Sequence, residues 1–430
     1  MNVRMACAIG AMVGLAASFG CEKKSSAPAP APTTGRTAST TPAATEPAAT
    51  TLPAATAPSS TAMDAEHART AAELIRDGIA FFLSKQNADG GWGFDMPPGQ
   101  SHPGLTAMVL KCLLQHPDFD NDSPPVAKGF EFLMKSRQPD GGFYVPQEGN
   151  ANYVTSLAVM ALATAKDPKH KSELADAIKF LRGQQIRPGS TTPAGEAVAE
   201  DNPFVGGVSY GKHGRPDLSN LGFWMEAMHE AGVSGDDADM QRALAFVQRV
   251  QNRTEGTEGQ SFVVRGEDDG GFIYAIDRKG SEFVGESMAG DGDRGLRSYG
   301  SMTYTGFKSL LYANVAKGDP RVRAAYEWIR RYWRLDSNPN MPQMQSQQGL
   351  YYYYHVFAKA LRAWGQDVIS DTRDVPHNWR QELIDVLAGS RKSADGRKCW
   401  SNDKEERWFE GNPILATAYA VLALQETVGK

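Results

Sequence analysis

What the chain lacks narrows it first. Cysteine is scarce, four in 430 residues. Two of the four, Cys7 and Cys21, fall near the start, so no disulfide framework holds the fold together. Charge of one sign is never concentrated: 45 Lys and Arg face 50 Asp and Glu, for a net charge of −5. That excludes the basic footprint of a nucleic-acid binder. Long hydrophobic runs are missing too, because the apolar stretch from Met5 to Phe19 is shorter than the roughly 20 residues that cross a bilayer. What is present looks globular, with 41% hydrophobic and 22% charged residues. A single compact core stops growing at about 250–300 residues, so a chain of this length must divide or repeat.

The first 20 residues carry Arg4, then a short apolar core, then Ser18-Phe19-Gly20 before Cys21. This reads as a signal peptide. Small residues ahead of a cysteine resemble a bacterial lipobox, which would make Cys21 the acylated first residue of the exported protein. Phe19 and Ser18 depart from the commonest form, and a plain secretory signal or short anchor is the alternative. Acyl chains add about 0.8 kcal/mol per buried CH₂, so two or three would hold the protein on a membrane. Between residues 27 and 62 only Gly35, Arg36, Glu46 and Leu52 are not Ala, Pro, Thr or Ser. Such a segment has nothing to bury, which makes residues 21–62 a disordered linker.

Residues 63–430 repeat. Gly78-Ile79-Ala80-Phe81-Phe82 with Gln86 and Gly90-Gly91-Trp92 recurs as Gly129-Phe130-Glu131-Phe132-Leu133 with Arg137 and Gly141-Gly142-Phe143. Weaker copies centre on Gln185, Gln251, Trp333 and Arg391, the last followed by Gly396 and Cys399-Trp400. Each anchor ends an amphipathic segment. In 69–86, Ala72, Ile75, Ile79, Phe82 and Leu83 mark one face, opposite Arg69, Glu73, Arg76, Asp77 and Lys85. A second helix follows each Gly-rich turn, and in 153–163 and 414–424 it carries no charged face at all, so it must be buried on every side. Corresponding segments at 218–231, 303–316 and 350–364 carry scattered charges. Neither the first pair nor the last is polar enough to cap an open solenoid, so the six pairs are expected to close into a ring.

The frame filled by Asp77, Gly78, Phe81, Phe82, Gln86, Gly90 and Trp92 resembles the glutamine–tryptophan motif of squalene–hopene and oxidosqualene cyclases. Segments 294–304 and 348–355 look like those of an exported bacterial group of prenyltransferase/squalene oxidase repeat proteins. The resemblance implies an all-α fold, the α/α-toroid of six inner helices within six outer ones. Terpene cyclases, protein prenyltransferase β subunits and complement thioester domains share it. The chemistry of those families does not carry over. The Asp-x-Asp-Asp-Thr-Ala acid of cyclases has only Asp118–Asp122 and Asp236–Asp239 as poor counterparts, both in turns on the wrong side. The Asp-x-Cys zinc ligands of prenyltransferases would fall near Ser298–Thr303, where neither residue occurs, and no Gly-Cys-Gly-Glu-Gln thioester motif is present. No metal and no cofactor is therefore expected.

Aligning the inner helices puts Thr106, Thr155, Ser219, Thr305, Tyr354 and Thr417 at one level near their N-termini, where unpaired amides converge on a common mouth. Capping or back-bonding of its own helix is the competing role for each hydroxyl. Tyr351 and His355 share a face by the i, i+4 rule, with Tyr299, Tyr304, Tyr354 and Trp408 as further ligand candidates. Asp291, Asp293 and Glu410, with Asp95, Asp268 and Asp269, sit between an anchor turn and the next inner helix, as a general acid or base would. Cys112 and Cys399 lie in the first and last repeats, neighbours if the ring closes. Three functions compete. The gaps in every catalytic set favour a non-catalytic binding or scaffold domain anchored in the cell envelope, facing an apolar lipid or an envelope protein. An isoprenoid binder or cyclase/transferase-like enzyme is the first alternative and a saccharide-active enzyme the second. The interior decides: a deep apolar chamber favours lipid, an open groove with paired acids favours sugar, and a filled centre favours the scaffold.

Overall fold

The computed structural model describes residues 63–94, 99–191, 195–211 and 214–429; the signal peptide, Cys21, the linker and Asp95 lie outside them. Among the described residues, outer helices α1 (Ala65–Lys85), α3 (Pro124–Lys135), α5 (Lys171–Gln184), α7 (Ala238–Arg249), α9 (Pro320–Arg331) and α11 (Trp379–Gly389) alternate with an inner set. The inner helices are α2 (Pro103–Leu114), α4 (Ala151–Ala165), α6 (Leu218–Glu230), α8 (Gly300–Tyr312), α10 (Leu350–Trp364) and α12 (Pro413–Val428). Their starts follow ordinary capping chemistry. Asp64, Asp217, Asp237, Asp319, Asn378 and Asn412 each accept a backbone N–H of the first turn. Proline opens α2, α3, α9 and α12, where its missing N–H costs nothing.

Inner helices pack in chain order and α12 returns to α2 and α1. Specific bonds seal the joint. Gln425 Nε2 donates to the Cys112 carbonyl at 2.8 Å, Arg391 meets Glu73 at 2.8 Å and Asp77 at 2.5 Å, and Lys85 meets Asp395 at 2.5 Å. Gly78 is the point of closest approach: a Cβ there would stand 2.4 Å from Val421 Cγ2. The expected closure is therefore present. Cys112 and Cys399 are buried free thiols.

The repeat motif has a mechanical reason. Gln86 Nε2 donates to the carbonyls of Gly90 and Pro125, both at 2.8 Å. Gln185 bonds Gly206 and Asp239 in the same way, and Gln251 bonds Gly270 and Arg321. Each glutamine thus ties its own turn to the start of the next outer helix. The glycines these bonds reach, Gly90, Gly206 and Gly270, have φ of +92°, +92° and +84°, and their counterpart Gly141 in the repeat anchored by Arg137 has +89°. A Cβ on Gly206 would lie 1.9 Å from the Arg242 carbonyl of the next outer helix. The long loop of repeat three is an insertion between the glutamine and this glycine; repeat four has one there and a second after Gly270 that carries a hairpin, Ala275–Glu286, and both leave the glutamine's contacts intact.

Two findings depart from the sequence reading. In α1 the buried face is Ala71, Leu74, Ile75, Gly78, Ile79, Phe81 and Phe82, while Ala72 is exposed and Leu83 is 42% exposed. The face is rotated because the helix packs on both α12 and α11 and needs a wider stripe than one 3.6-residue row. Three short antiparallel hairpins also interrupt the all-α pattern: β1 (Ala275–Lys279) with β2 (Glu282–Glu286), β3 (Val368–Ser370) with β4 (Pro376–Asn378), and β5 (Lys392–Ala394) with β6 (Arg397–Cys399). All lie in connections.

Candidate functional site

The hydroxyls expected at the mouth are mostly committed elsewhere. Thr106 Oγ1 accepts the Trp92 N–H at 2.9 Å and donates to the Trp92 carbonyl at 3.2 Å. Thr155 clamps Phe143 and Thr417 clamps Trp400 in the same two-way fashion. All three are fully buried. In the fourth repeat the equivalent residue is Thr303, which accepts the Phe272 N–H at 3.1 Å, so the alignment through Thr305 was shifted by two residues. Tyr354 donates to the Leu335 carbonyl at 2.7 Å, away from the axis.

The two residues off that register do line the interior. Tyr352 Oη lies 3.1 Å from Thr305 Oγ1 and 3.4 Å from Ser219 Oγ. Tyr153 and Tyr419 join hydroxyl to hydroxyl at 2.8 Å. Phe223 sits among them, 4.6 Å from the Tyr153 ring, 5.8 Å from Tyr352 and 6.2 Å from His355. Tyr153, Tyr210, Ser219 and Tyr352 are half-buried in a recess that solvent reaches at the helix N-termini, and Phe223 closes its floor. His355 and Tyr352 share two neighbours, Phe223 and Tyr419, with His355 at 6.2 Å and 5.6 Å from their rings. Tyr351, the expected partner, turns aside to meet Tyr354 edge-on at 5.8 Å.

Behind the recess wall are two carboxyls. Glu410 is buried; its Oε1 accepts the Tyr352 N–H at 2.8 Å and its Oε2 the Asn402 amide at 2.9 Å. It caps the start of α10. Burial pushes it up to about 7 against those hydrogen bonds. Asp217 caps α6 through Asn220 at 2.8 Å, and burial pushes it up to about 6. Asp291 and Asp293 instead lie exposed in a turn beside Leu296, and Asp269 is held by Ser298 at 2.7 Å and the Trp328 indole at 3.0 Å. Tyr299 is buried with its hydroxyl raised well above the usual range by desolvation and by Tyr352 and Asp217. Tyr304 packs outward on Tyr353 at 5.6 Å and Phe357 at 5.1 Å. Trp408 stands at the rim, 41% exposed.

Beneath the floor is a charge lattice that sequence reasoning missed. Lys359 reaches Glu230 at 2.7 Å, Glu426 at 3.0 Å and Glu226 at 3.3 Å. Lys308 pairs with Glu226, and Lys111 with Glu230. Burial alone would raise the Glu226 carboxyl, but Lys308 and Lys359 hold it well below its usual range. Burial pushes His355, 3.8 Å from Glu226, down to about 3, so its imidazole is neutral. The gap lined by Met108, Lys111, Met160, Phe223, Glu226 and His355 is ≈ 10 Å³, the scale of one water. The available signal was charge in the second half of a largely apolar helix: Lys111 and Lys308 alone in theirs, Glu226 with Glu230, and Lys359 with Arg362. Among the described residues no group of three or more His, Cys, Asp or Glu could hold a metal.

The squalene-hopene cyclase C-terminal domain family matches residues 99–262. A drimenyl diphosphate synthase of Streptomyces showdoensis is 33% identical over 107 residues, 25% of this chain and 20% of that protein; a second, of Streptantibioticus cattleyicolor, is 29% identical over 98. The matched stretch is about a fifth of each relative's length. Over residues 99–262 the chain is similar to that family, and its helical ring is of the α/α-toroid kind. The α-1,6-mannanase GH76A of Salegentibacter sp. HEL1_6 has a similar fold, with TM-score 0.53 at 9% identity over 84% of this chain and 98% of the mannanase. At that identity the likeness is one of architecture.

Proposed function

We propose that this toroid is a non-catalytic binding module, exported and tethered by lipid at Cys21, whose ligand face is the mouth recess and its rim. The observation that carries the reading is the interior. Phe223, Tyr352, Tyr419 and His355 close the recess, and the lysine–glutamate lattice fills the ring below, leaving ≈ 10 Å³. A polyprenyl chain needs a pocket of several hundred Å³. The carboxyl nearest the recess, Glu410, has both oxygens engaged in capping α10, so it is not free to deliver a proton to a substrate. Among the described residues no helix is long and apolar enough to cross a membrane, and a membrane role therefore rests on the acylated cysteine.

The test is native mass spectrometry of the full chain extracted from its own membrane, with squalene and geranylgeranyl diphosphate then supplied. The expected result is a polypeptide with acyl groups on Cys21, no polyprenyl lipid inside the ring and no turnover. A co-purified polyprenyl lipid or a cyclised product overturns the proposal.

A further inference from the structure

Trp408 differs from every other tryptophan in the chain. Of the eight tryptophans, seven donate their indole N–H to a protein acceptor: Trp92, Trp224, Trp328, Trp333, Trp364, Trp379 and Trp400. The Trp408 indole has no such partner among the described residues and is 41% exposed. Its neighbour Phe409 is 42% exposed. Both sit in the left-handed region, with φ of 58° and 64°, a conformation that large side chains disfavour. A turn free to relax would not hold two bulky aromatics there, and such outliers gather at ligand sites.

The surroundings support a platform rather than a loose loop. Gly349 gives the Trp408 ring room, since a Cβ there would stand 3.2 Å from Cζ3. The Arg407 guanidinium lies 4.8 Å from the indole centroid, and the Phe409 ring 5.1 Å from Phe94. The segment leading to Gly349 is Gln343-Met344-Gln345-Ser346-Gln347-Gln348. Gln343 and Gln345 make no side-chain hydrogen bond among the described residues, so their amides remain available as donors and acceptors. Gln348 is engaged only at 3.2–3.3 Å, by Arg407 and Glu405. The next residue, Glu410, ties the shelf to the recess by accepting the Tyr352 N–H at 2.8 Å.

We propose that the Trp408–Phe409 shelf binds a neutral saccharide chain. An indole face accepts the C–H face of a pyranose, its free N–H donates to a ring hydroxyl, and neutral amides suit vicinal hydroxyls that carry no charge. An acyl chain would leave these polar groups unpaired. The proposal deepens the rim reading of the toroid and rests on it.

The experiment uses the full chain labelled with 5-fluorotryptophan, its ¹⁹F spectrum followed on addition of hexaoses of glucose, mannose and N-acetylglucosamine. The Trp408 resonance is assigned by its loss in Trp408→Phe. At least one hexaose should shift that resonance and leave the other seven in place. Trp408→Ala should weaken binding about tenfold or more, Phe409→Ala less, and Trp408→Gly, which relieves the left-handed backbone, should abolish binding with the melting temperature unchanged or raised. No shift with any hexaose, or binding indifferent to Trp408→Ala, overturns the saccharide assignment. A shift on adding a peptide of residues 27–62 instead of sugar also overturns it while leaving the rim as the ligand face. Polyprenyl lipid within the ring is the separate failure of the functional reading itself.

Discussion

The two ends of the inner barrel solve the same problem in opposite ways. At the base, α2, α6, α8, α10 and α12 bring charged side chains together in the ring's interior, and every charge has a counter-charge within the lattice. At the mouth, α4, α6, α8, α10 and α12 bring mostly hydroxyls, and the nearby carboxyls Asp217 and Glu410 are pushed toward their neutral forms. Burial is paired with charge at one end and with neutrality at the other. Polar residues inside a ring are thus no mark of chemistry by themselves; what separates a structural end from a ligand-facing one is whether the polar atoms are already matched. At the base they nearly all are. In the recess the hydroxyls bond one another, and on the rim the Trp408 indole and the Gln343 and Gln345 amides remain free among the described residues.

Breaking the base should have the largest effect. Lys359→Met strands Glu426, leaves Glu226 to Lys308 and Glu230 to Lys111 alone, and should cost about 3–5 kcal/mol, read by urea unfolding. The paired change Glu226→Leu with Lys308→Leu should cost less than Glu226→Leu alone; equal or greater loss in the pair would mean the lattice is not acting as matched charges. The two ends also separate by pH. Glu410, raised to about 7 when folded against about 4.3 unfolded, binds more protons in the native state. Its stability contribution is present below about pH 4 and lost as pH rises toward 7, roughly 3 kcal/mol in all. His355, lowered to about 3 when folded, runs the other way: its contribution is present above about pH 6.5 and lost as pH falls. Glu410→Gln should lessen the first slope, leaving the share of Asp217, and leave the second; His355→Phe should lessen the second, leaving the share of Glu226, and leave the first, measured by unfolding at stepped pH. Unaltered slopes would sink the assignment. A clamp is worth less: Thr106→Val orphans the Trp92 N–H and should lower stability by about 1–3 kcal/mol. Smallest of all, Leu83→Gln should change stability by no more than about 0.5 kcal/mol; a core-sized loss would restore the helix face read from periodicity.

Much of the ring was legible because its rules are local. Gln86 and Gly90 recur at short spacing, since a glutamine can bridge a turn and an adjacent helix start only from a fixed distance, and a left-handed turn accepts only glycine cheaply. In repeats three and four the insertions hid the glycines Gly206 and Gly270 from a spacing argument, although the bonds they receive are the same. Site residues were less legible. Thr106, Thr155 and Thr417 were found as an equivalent set, yet whether a hydroxyl faces a mouth or grips a neighbouring backbone depends on a helix rotation of less than half a turn. Tyr352 was passed over for Tyr351 on the same account. Tyr153, Phe223 and Tyr419 meet across the axis from three different repeats, and no local pattern links them.

The order of residues by itself determined twelve rods, their pairing and the closure of their circle, because helix periodicity, caps and turn glycines act over a few positions of chain. Only the tertiary structure decided what occupies the centre. Lys359 touching three glutamates, and Trp408 alone among the tryptophans lacking a protein partner for its indole, are facts of distance between segments far apart in sequence, and burial sets both which charges must be matched and which groups remain to meet a ligand.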